Sequence, residues 1–372
     1  MKLAMTLLAT SVASLLSLGI VVLYSASMGG QLVTKQLIAV GLGMAGCIAA
    51  ILFDYRWLKR IAPALYAFAA MLLALVLIPS IGVKVGGARR WLSHWGFSFQ
   101  PSDLAKVVMV ICLALYVETN QRRMNTFLHG LAMPGLGLGL LLALIFREPD
   151  YGTTALMGAV SICMLLIGGA RWLHVLPIGL SAIGAFAAAV YTNPVRAKRV
   201  FSWLDLEGTK NTTGYQVYQA LIALGSGGLT GIGLGSGRQK LGWVPEHHTD
   251  FIFSVVGEEM GLVATLAVIV AFIVFVVCGV FIAWKARDTF GFMLAGGLTL
   301  LIGLQAFINI GVVTGALPNK GLSLPFMSFG GSNMMMMLTA VGVILSVALR
   351  APAEEEAEAE QHSLEAEPLI QG

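Results

Sequence analysis

Charged residues are scarce in this chain. Asp, Glu, Lys and Arg make up 11% of its 372 residues, whereas a soluble domain carries about 25%. Hydrophobic residues make up 57%, and the mean hydropathy is +0.84. This composition excludes an ordinary soluble protein and favours one that lies in a membrane.

Cysteine is also rare, and the four residues present are scattered. Cys47, Cys112, Cys163 and Cys278 each lie within an apolar stretch, with no paired spacing between them. A disulfide framework or a zinc cluster needs closely spaced cysteines, so neither is expected. We interpret these cysteines as small packing residues.

Long apolar stretches recur along the whole chain, and a membrane-spanning helix needs roughly 20 such residues. Ten candidates are centred near residues 15, 45, 70, 111, 139, 160, 183, 270, 303 and 341. The regular polar–apolar alternation of a membrane β-barrel is absent. The sequence therefore predicts an all-α polytopic membrane protein with about ten spans, in which the first span is a retained helix rather than a cleaved signal peptide.

The distribution of charge predicts the topology. If both termini are cytoplasmic, the inner segments hold ten basic residues and the short outer loops hold six, in keeping with the positive-inside rule. We expect one membrane domain, residues 1–350, followed by a disordered acidic cytoplasmic tail, residues 351–372. Seven of the 19 acidic residues lie in this tail: Glu354, Glu355, Glu356, Glu358, Glu360, Glu365 and Glu367.

Four outer segments hold most of the unusual polar residues, and this topology opens all of them on one face. They are residues 82–103, 147–154, 193–250 and 317–333. The third connects spans seven and eight and is too long to be a structureless loop. Within it, Tyr215, Tyr218, Leu221, Ile222 and Leu224 recur at helical spacing. They predict a short amphipathic helix, capped by Thr212 or Thr213, that lies on the membrane surface or packs on neighbouring spans.

Seven glycines lie among the thirteen residues 225–237. Their spacing fits neither the dinucleotide fingerprint nor the P-loop, and no predicted strand precedes them. Glycine permits close backbone approach, so this stretch predicts a contact with a ligand or a helix, or a tight re-entrant turn.

Ionisable residues crowd the start of the eighth span, between Pro245 and Glu259. Asp250 stands directly before Phe-Ile-Phe, where a carboxylate could act as a general base. The alternative is that Thr249 or Asp250 caps the following helix. Glu258 and Glu259 lie two helical turns further on, where they could form a polar track or bind a base. The adjacent histidines, His247 and His248, are a weak metal signature.

Two further polar clusters adjoin predicted spans. In residues 147–154, Asp150 is expected to cap the next helix, which leaves Arg147 and Glu148 as candidates for a site. Asp103 and Lys106 are three residues apart at the start of a span and could pair with each other. The position of Lys106 inside that span favours a function.

These motifs together resemble the SEDS family of shape, elongation, division and sporulation proteins, which includes FtsW, RodA and SpoVE. The resemblance covers about residues 5–350, and its details are most similar to the FtsW members. It is carried by Gly-Ala-Arg-Arg-Trp91, Phe-Gln-Pro-Ser-Asp103, Glu-Pro-Asp-Tyr-Gly-Thr153, Pro-Glu-His-His-Thr-Asp-Phe-Ile-Phe253, Gly-Glu-Glu259, Leu-Pro-Asn-Lys-Gly321 and Pro-Phe-Met-Ser-Phe-Gly-Gly331. The chain departs from the family pattern at Asp103, Phe329 and Asn333.

The resemblance implies an inverting peptidoglycan glycosyltransferase of the bacterial inner membrane that polymerises lipid II, acting at the division septum. Asp250 aligns with the family's catalytic aspartate. Expected polar support comes from His248, Thr249, Glu258 and Glu259. Candidate substrate contacts are Arg89, Lys106, Arg147, Glu148, Arg196, Lys198, Arg199, Lys320 and Ser328.

The resemblance also implies a divalent cation, Mg²⁺ or Mn²⁺, and no organic cofactor. The implied partners are a class B penicillin-binding transpeptidase and other divisome membrane proteins, and no nucleic acid is expected. Two other functions remain open. One is a lipid II flippase, whose headgroup path would use Lys106, Glu258 and Glu259. The other is a non-catalytic scaffold for the transpeptidase.

Overall fold

The helices of this protein occupy all ten of the predicted apolar stretches. The computed structural model describes residues 1–27, 30–85, 88–94, 97–192, 194–238, 248–319 and 321–366. The ten helices at these stretches are α1 (Lys2–Ala26), α2 (Gly30–Leu52), α3 (Trp57–Leu77), α4 (Pro101–Asn120), α5 (Met133–Arg147), α6 (Tyr151–Ile167), α7 (Trp172–Tyr191), α10 (Ile252–Trp284), α11 (Thr289–Val313) and α12 (Gly331–Ala366). The all-α membrane architecture is therefore confirmed.

Seven helical segments among the described residues are long and apolar enough to cross a membrane. The segment that contains α5 reaches this length because it starts at Leu128, in a π-helical turn at Leu128–Ala132. The helix α6 has 17 residues, and α4 carries Asp103, Lys106 and Glu118. The helices α4, α6 and α7 are not among these seven segments, so the total of ten spans stays a prediction.

Two short helices occupy part of the long outer segment. They are α8 (Pro194–Leu204) and α9 (Tyr215–Ser226). The α9 helix was predicted, but its N-cap is Gly214 rather than Thr212 or Thr213. Its buried residues are Val217, Ala220 and Ala223, and it packs on α10 and α11. Small residues allow this close packing, so the aromatic and leucine stripe is only partly buried.

A small antiparallel sheet was missed in the sequence. Its strands are β1 (Gly82–Val85), β2 (Ala88–His94) and β3 (Phe97–Phe99), in the order β1-β2-β3. The register pairs Gly82 with Leu92 and Leu92 with Phe99, with an irregularity between Val83 and Lys84. Such short strands give too little alternation to be recognised. The sheet holds β2 beside the start of α4, where its arginines can reach the loop between α5 and α6.

The helices α11 and α12 lie at the centre of the bundle, with most of their apolar stretches buried. The outer helix α2 packs closely along α12, where a Cβ added at Gly342 would lie 2.4 Å from the Cys47 carbonyl oxygen. The α12 helix extends to Ala366, although composition predicts disorder beyond residue 350. Alanine and glutamate are strong helix formers, which accounts for this difference. The boundary between membrane domain and tail stays a prediction.

Candidate functional site

The four polar outer segments meet one another, as predicted. Gln100, from the first segment, donates a hydrogen bond to Asp150 of the second (3.1 Å). Ser332, from the fourth, donates to Asp103 of the first (2.6 Å). Asn319, also from the fourth, donates to Gln216 of the third (3.1 Å). These contacts join segments that are far apart in the chain into one composite site.

Asp250 lies at the point where the long outer segment enters α10. Its backbone carbonyl accepts a hydrogen bond from Asn309 Nδ2 of α11 (2.8 Å). A Cβ added at Gly321 would lie 2.7 Å from Asp250 Oδ2, so the glycine makes room for this carboxylate. The carboxylate is partly exposed. Asp250 therefore has a fixed backbone and a side chain that can reach solvent.

The prediction that Thr249 or Asp250 caps α10 is wrong. The helix begins at Ile252, its N-cap is Phe251, and no side-chain capping bond is found there among the described residues. The amide of Ser254 instead pairs with the Phe251 carbonyl (3.0 Å). A structural cap therefore does not account for Asp250.

His248 fixes the segment before Asp250 to the fourth outer segment. Its backbone carbonyl accepts a hydrogen bond from the amide of Phe329 (2.9 Å), and its ring lies 6.1 Å from the Phe329 ring. His248 and Thr249 are both partly buried. These contacts agree with a supporting position for His248, which stays a prediction. His247 lies outside the described residues.

The cap predicted for α6 is confirmed. Asp150 Oδ1 accepts from the amide of Thr153 (3.1 Å), and Oδ2 accepts from its hydroxyl (3.0 Å). Arg90 of β2 donates from Nε to the Glu148 carbonyl (3.0 Å), and it also donates to the Pro149 carbonyl. Sequence reasoning missed Arg90 and selected Arg89. Successive side chains of a strand point to opposite faces, so Arg89 lies on the other side of the sheet.

Glu148 is the unusual carboxyl of this cluster. It is fully buried, and neither carboxyl oxygen has a hydrogen-bond partner among the described residues. Burial, and to a smaller extent the charge of Asp150, raise the pKa of Glu148 to about 9, although the charge of Arg90 opposes both. A carboxyl in this state is protonated at neutral pH, so it can donate a hydrogen bond and cannot serve as an anion. Its predicted substrate contact stays a prediction.

Lys106 is buried in a complete network, which argues against the predicted substrate contact. Its ammonium pairs with Asp103 Oδ1 (2.9 Å), as the spacing predicts. It also donates to Gln305 Oε1 and Asn333 Oδ1, each at 3.1 Å. An ammonium has three N–H donors, and all three have protein acceptors here. Lys106 therefore joins α4, α11 and α12.

The two amides around Asp250 and Lys106, Gln305 and Asn309, were also missed. Asn309 Nδ2 donates to the carbonyls of both Asp250 (2.8 Å) and Leu322 (2.6 Å). Gln305 Nε2 donates to the Ser323 carbonyl (2.8 Å). The two residues are four apart in an otherwise apolar helix, so they share one face. That spacing was a usable signal for a polar face directed at the site.

The described contacts of Glu258 and Glu259 are with the glycine-rich segment and with α1. Glu258 Oε1 accepts from the amide of Arg238 (2.8 Å), and Glu259 Oε2 accepts from the amide of Gly235 (3.2 Å). The Ser25 hydroxyl donates to Glu259 Oε2 (2.6 Å). These carboxylates bind the glycine-rich segment, whereas Lys106 belongs to a different network. No described contact joins Lys106 to Glu258 or Glu259, and the headgroup path expected for a flippase stays a prediction.

The other predicted contacts are dispersed. Ser328 is buried, and its hydroxyl accepts from the amide of Leu324 (2.8 Å), so it stabilises a turn; its substrate contact stays a prediction. Arg147 and Lys198 are exposed, and Arg89 is partly exposed. Lys320 and the side chains of Arg196 and Arg199 lie outside the described parts of the chain.

Asp250 combines a backbone held by Asn309 with partial exposure to solvent. Asp103, Glu148 and Asp150 are buried instead. Among the described residues, no group of three or more His, Cys, Asp or Glu could hold a metal ion. Mg²⁺ often binds through one or two carboxylates together with substrate phosphates, so a cation held mainly by a phosphorylated substrate fits this site.

Known proteins share both the sequence and the fold. Residues 5–352 match the family model for cell cycle proteins of the FtsW, RodA and SpoVE type. The probable peptidoglycan glycosyltransferase FtsW of Geobacter metallireducens is 39% identical over 341 residues, covering 89% of this chain and 91% of that protein. Stage V sporulation protein E of Bacillus subtilis is 37% identical over 343 residues, covering 90% and 93%.

Solved structures agree with these matches. A structure described as showing "structural coordination of polymerization and crosslinking by a peptidoglycan synthase complex" has a TM-score of 0.80 and 28% identity, covering 92% of this chain and 97% of its own. The rod shape determining protein RodA of Thermus thermophilus has a TM-score of 0.70 and 27% identity, covering 92% and 95%.

Proposed function

The chain belongs to the cell cycle protein family of FtsW, RodA and SpoVE, and we infer from this membership and from the composite site how it acts. It is a multi-pass membrane protein and a peptidoglycan glycosyltransferase of cell division. Its proposed substrate is lipid II, and the proposed reaction inverts the donor sugar. The observation that carries this assignment is the partly exposed Asp250, which lies where the third outer segment meets Gly321 of the fourth.

In the proposed reaction, Asp250 accepts the proton of the acceptor sugar hydroxyl. The hydroxyl oxygen forms a bond to the anomeric carbon of the donor as the bond from that carbon to the pyrophosphate oxygen breaks. The pyrophosphate leaves with the bonding electrons, and attack from the opposite face inverts the α-linked donor to a β-linkage. A positioned general base contributes about 10²- to 10⁴-fold to such a reaction.

Charge stabilisation of the leaving group is the second requirement. A bound Mg²⁺ or Mn²⁺ would neutralise the departing pyrophosphate, whose phosphate oxygens would supply most of its ligands. Arg147 and Lys198 are exposed cations on the same outer segments. Arg196, Arg199 and Lys320 are proposed from sequence alone. Because Arg147 and Lys198 are exposed, they would contribute without the cost of a buried charge.

The proposed partner is a class B penicillin-binding transpeptidase, with other divisome proteins nearby. Support comes from the similarity to a chain in a peptidoglycan synthase complex. The proposed location is the inner membrane at the division septum, with both termini cytoplasmic. The composite site would then lie on the outer face of the membrane, which is where both polymerisation and crosslinking would take place.

The test compares lipid II polymerisation by wild type, Asp250→Asn and Asp54→Asn, each purified with the cognate transpeptidase in Mg²⁺ or Mn²⁺. Asp54 pairs with Arg350 (3.6 Å) away from the composite site, so it is a matched aspartate control. We expect glycan strands from wild type and Asp54→Asn, and a loss of about 10²-fold or more in Asp250→Asn.

Strands from Asp250→Asn at the wild-type rate would place the catalytic base elsewhere. An absence of strands from all three folded proteins would favour the flippase or scaffold function instead. Headgroup translocation assayed in vesicles separates those two, because only a flippase moves the headgroup.

A further inference from the structure

The helix α10 is broken nine residues after it begins. Gly261 has φ +76° and ψ −170°, which no helix contains. In a continuous helix the carbonyls of Glu258 and Glu259 would accept from the amides of Leu262 and Val263. The break removes these two hydrogen bonds and leaves four buried backbone groups that need partners.

The glycine-rich segment, residues 227–238, supplies all four partners. The amides of Ile232 and Gly233 donate to the carbonyls of Glu258 and Glu259, each at 3.0 Å. The amides of Leu262 and Val263 donate to the carbonyls of Gly228 (2.9 Å) and Leu229 (3.2 Å). The segment is therefore inserted into the broken helix as a backbone replacement.

This insertion explains why the segment is so rich in glycine. A Cβ added at Gly231 would lie 2.2 Å from the Glu259 carbonyl oxygen, and one added at Gly227 would lie 1.8 Å from that of Gly257. Gly231, Gly233 and Gly235 also have positive φ angles of 81°, 104° and 83°. Another residue would be too large at Gly227 and Gly231, and it would be strained at Gly231, Gly233 and Gly235.

The side chains of Glu258 and Glu259 add a second layer of contacts. Both are almost fully buried. Between them they accept from the amides of Gly235 (3.2 Å), Gly237 (3.3 Å) and Arg238 (2.8 Å). The hydroxyl of Ser25 in α1 donates to both oxygens of Glu259 (2.8 and 2.6 Å) and accepts from the Gly235 amide (3.1 Å). Hydrogen bonds to a charged acceptor are about twice as strong as neutral ones.

The contacts of residues 227–238 with Glu258, Glu259 and Ser25 form a clamp on the outer part of α10. The described chain leaves this clamp at Arg238, and Asp250 lies two residues before α10 begins at Ile252. Ile252 is six positions before Glu258, or about 9 Å along the helix axis. The backbone at Asp250 is held by Asn309, and that at His248 by Phe329. The first stretch of α10, residues 252–260, therefore begins beside Asp250 and ends at the clamp.

We propose that Glu258 and Glu259 are positioning residues for Asp250, because they hold residues 227–238 against the break in α10 and so fix the first stretch of that helix, residues 252–260, which begins two residues after Asp250. This rests on the proposed glycosyltransferase function. Neither carboxylate touches substrate in this role. Loss of the clamp widens the range of positions that Asp250 samples, which lowers the turnover rate more than the affinity for substrate.

The experiment measures amide hydrogen exchange and polymerisation kinetics on the full-length protein with its transpeptidase, using lipid II as the substrate. Glu259→Gln places an amide N–H₂ against the N–H donors of the clamp, and Ser25→Ala removes the hydroxyl that donates to Glu259 and accepts from Gly235. Glu118→Gln is the matched control, because Glu118 pairs with Lys59 (2.7 Å) at the far end of α4.

We expect Glu259→Gln to speed exchange at residues 233–238 by about tenfold or more and to lower kcat by about tenfold, with KM nearly unchanged. Ser25→Ala should also speed exchange at residues 233–238 and lower kcat, but by less than Glu259→Gln. Glu118→Gln should change neither exchange at these residues nor kcat per folded molecule.

Wild-type exchange at residues 233–238 in Glu259→Gln would overturn the proposal, and so would faster exchange with unchanged kcat. If wild-type protein makes no polymer, the proposed function fails. The comparison of amide exchange between wild type and Glu259→Gln then decides by itself whether these carboxylates hold residues 227–238.

Discussion

Two lysine-centred networks lie at opposite ends of α4 and differ in how they are completed. Lys106, near the start of the helix, is 2% exposed and contacts Asp103, Gln305 and Asn333. The Lys59 side chain is 28% exposed and contacts Glu118, near the end of the helix, and Asp288. The buried network has one carboxylate and two neutral amides, whereas the exposed one has two carboxylates.

The difference reflects access to water. A buried ion pair is stable only when its remaining donors and acceptors are satisfied by protein. Two neutral amides satisfy Lys106 without adding a second buried charge. Near the surface, water supplies what is missing, so Lys59 tolerates two carboxylates. The buried network of Lys106 is therefore sensitive to any single change, whereas the exposed network of Lys59 is not.

The largest effect is expected from Lys106→Met. Methionine fills a similar volume, but it leaves Asp103 as an unpaired buried charge. We expect a loss of about 3–5 kcal/mol in the free energy of unfolding. The measurement is the thermal or denaturant unfolding of the purified protein in detergent, followed by tryptophan fluorescence.

The double variant Lys106→Met with Asp103→Asn is the control. It removes both charges, so part of the lost stability should return. A single variant as stable as wild type would show that the buried network does not hold the bundle together, and the contrast with Lys59 would fail.

These networks also show which parts of the site were predictable. The pairing of Asp103 with Lys106 is local, because the residues lie one helical turn apart. Their partners Gln305 and Asn333 lie 199 and 227 residues from Lys106, and no local pattern indicates them. The cap at Asp150 was predicted for the same local reason.

The same limit applies to the fold. The ten apolar stretches were visible because each carries its own pattern. The insertion of residues 227–238 into α10 was not, since it depends on a break at Gly261 that only the distant partner makes stable. Local composition indicated close backbone approach, but it left open what was approached.

The next effect concerns pH and compares Glu148 with Asp288. Burial raises the pKa of Glu148 to about 9, so the folded state keeps its proton above the pH at which the unfolded chain loses it. Stability from this group is complete at low pH and falls as pH rises from about 4.5 to 9, by at most about 1.4 kcal/mol per pH unit. Unfolding of wild type and Glu148→Gln, measured from pH 6 to 8, should show this fall in wild type only.

The pKa of Asp288 shifts in the opposite direction. Burial by itself would raise the pKa of Asp288, but hydrogen bonds from Tyr55 and Lys59, the charge of Lys59 and the Gly291 amide lower it below its usual value. Its contribution is present above the unfolded pKa and is lost as pH falls through the folded pKa. Parallel pH profiles for wild type and Glu148→Gln between pH 6 and 8 would contradict the assignment for Glu148.

The smallest effect is expected from Lys59→Met. The substitution removes the ion pairs to Glu118 (2.7 Å) and Asp288 (3.1 Å), but all three side chains remain in contact with water. Asp288 also keeps its bonds to Tyr55 and to the amide of Gly291 (3.3 Å). Exposed ion pairs contribute about 1 kcal/mol or less, so unfolding under the same conditions should shift by no more than that. If Lys59→Met lost as much free energy of unfolding as Lys106→Met, the Lys59 network would be as inaccessible to water as the Lys106 network. Exposure would then not explain why only the Lys106 network is completed by amides.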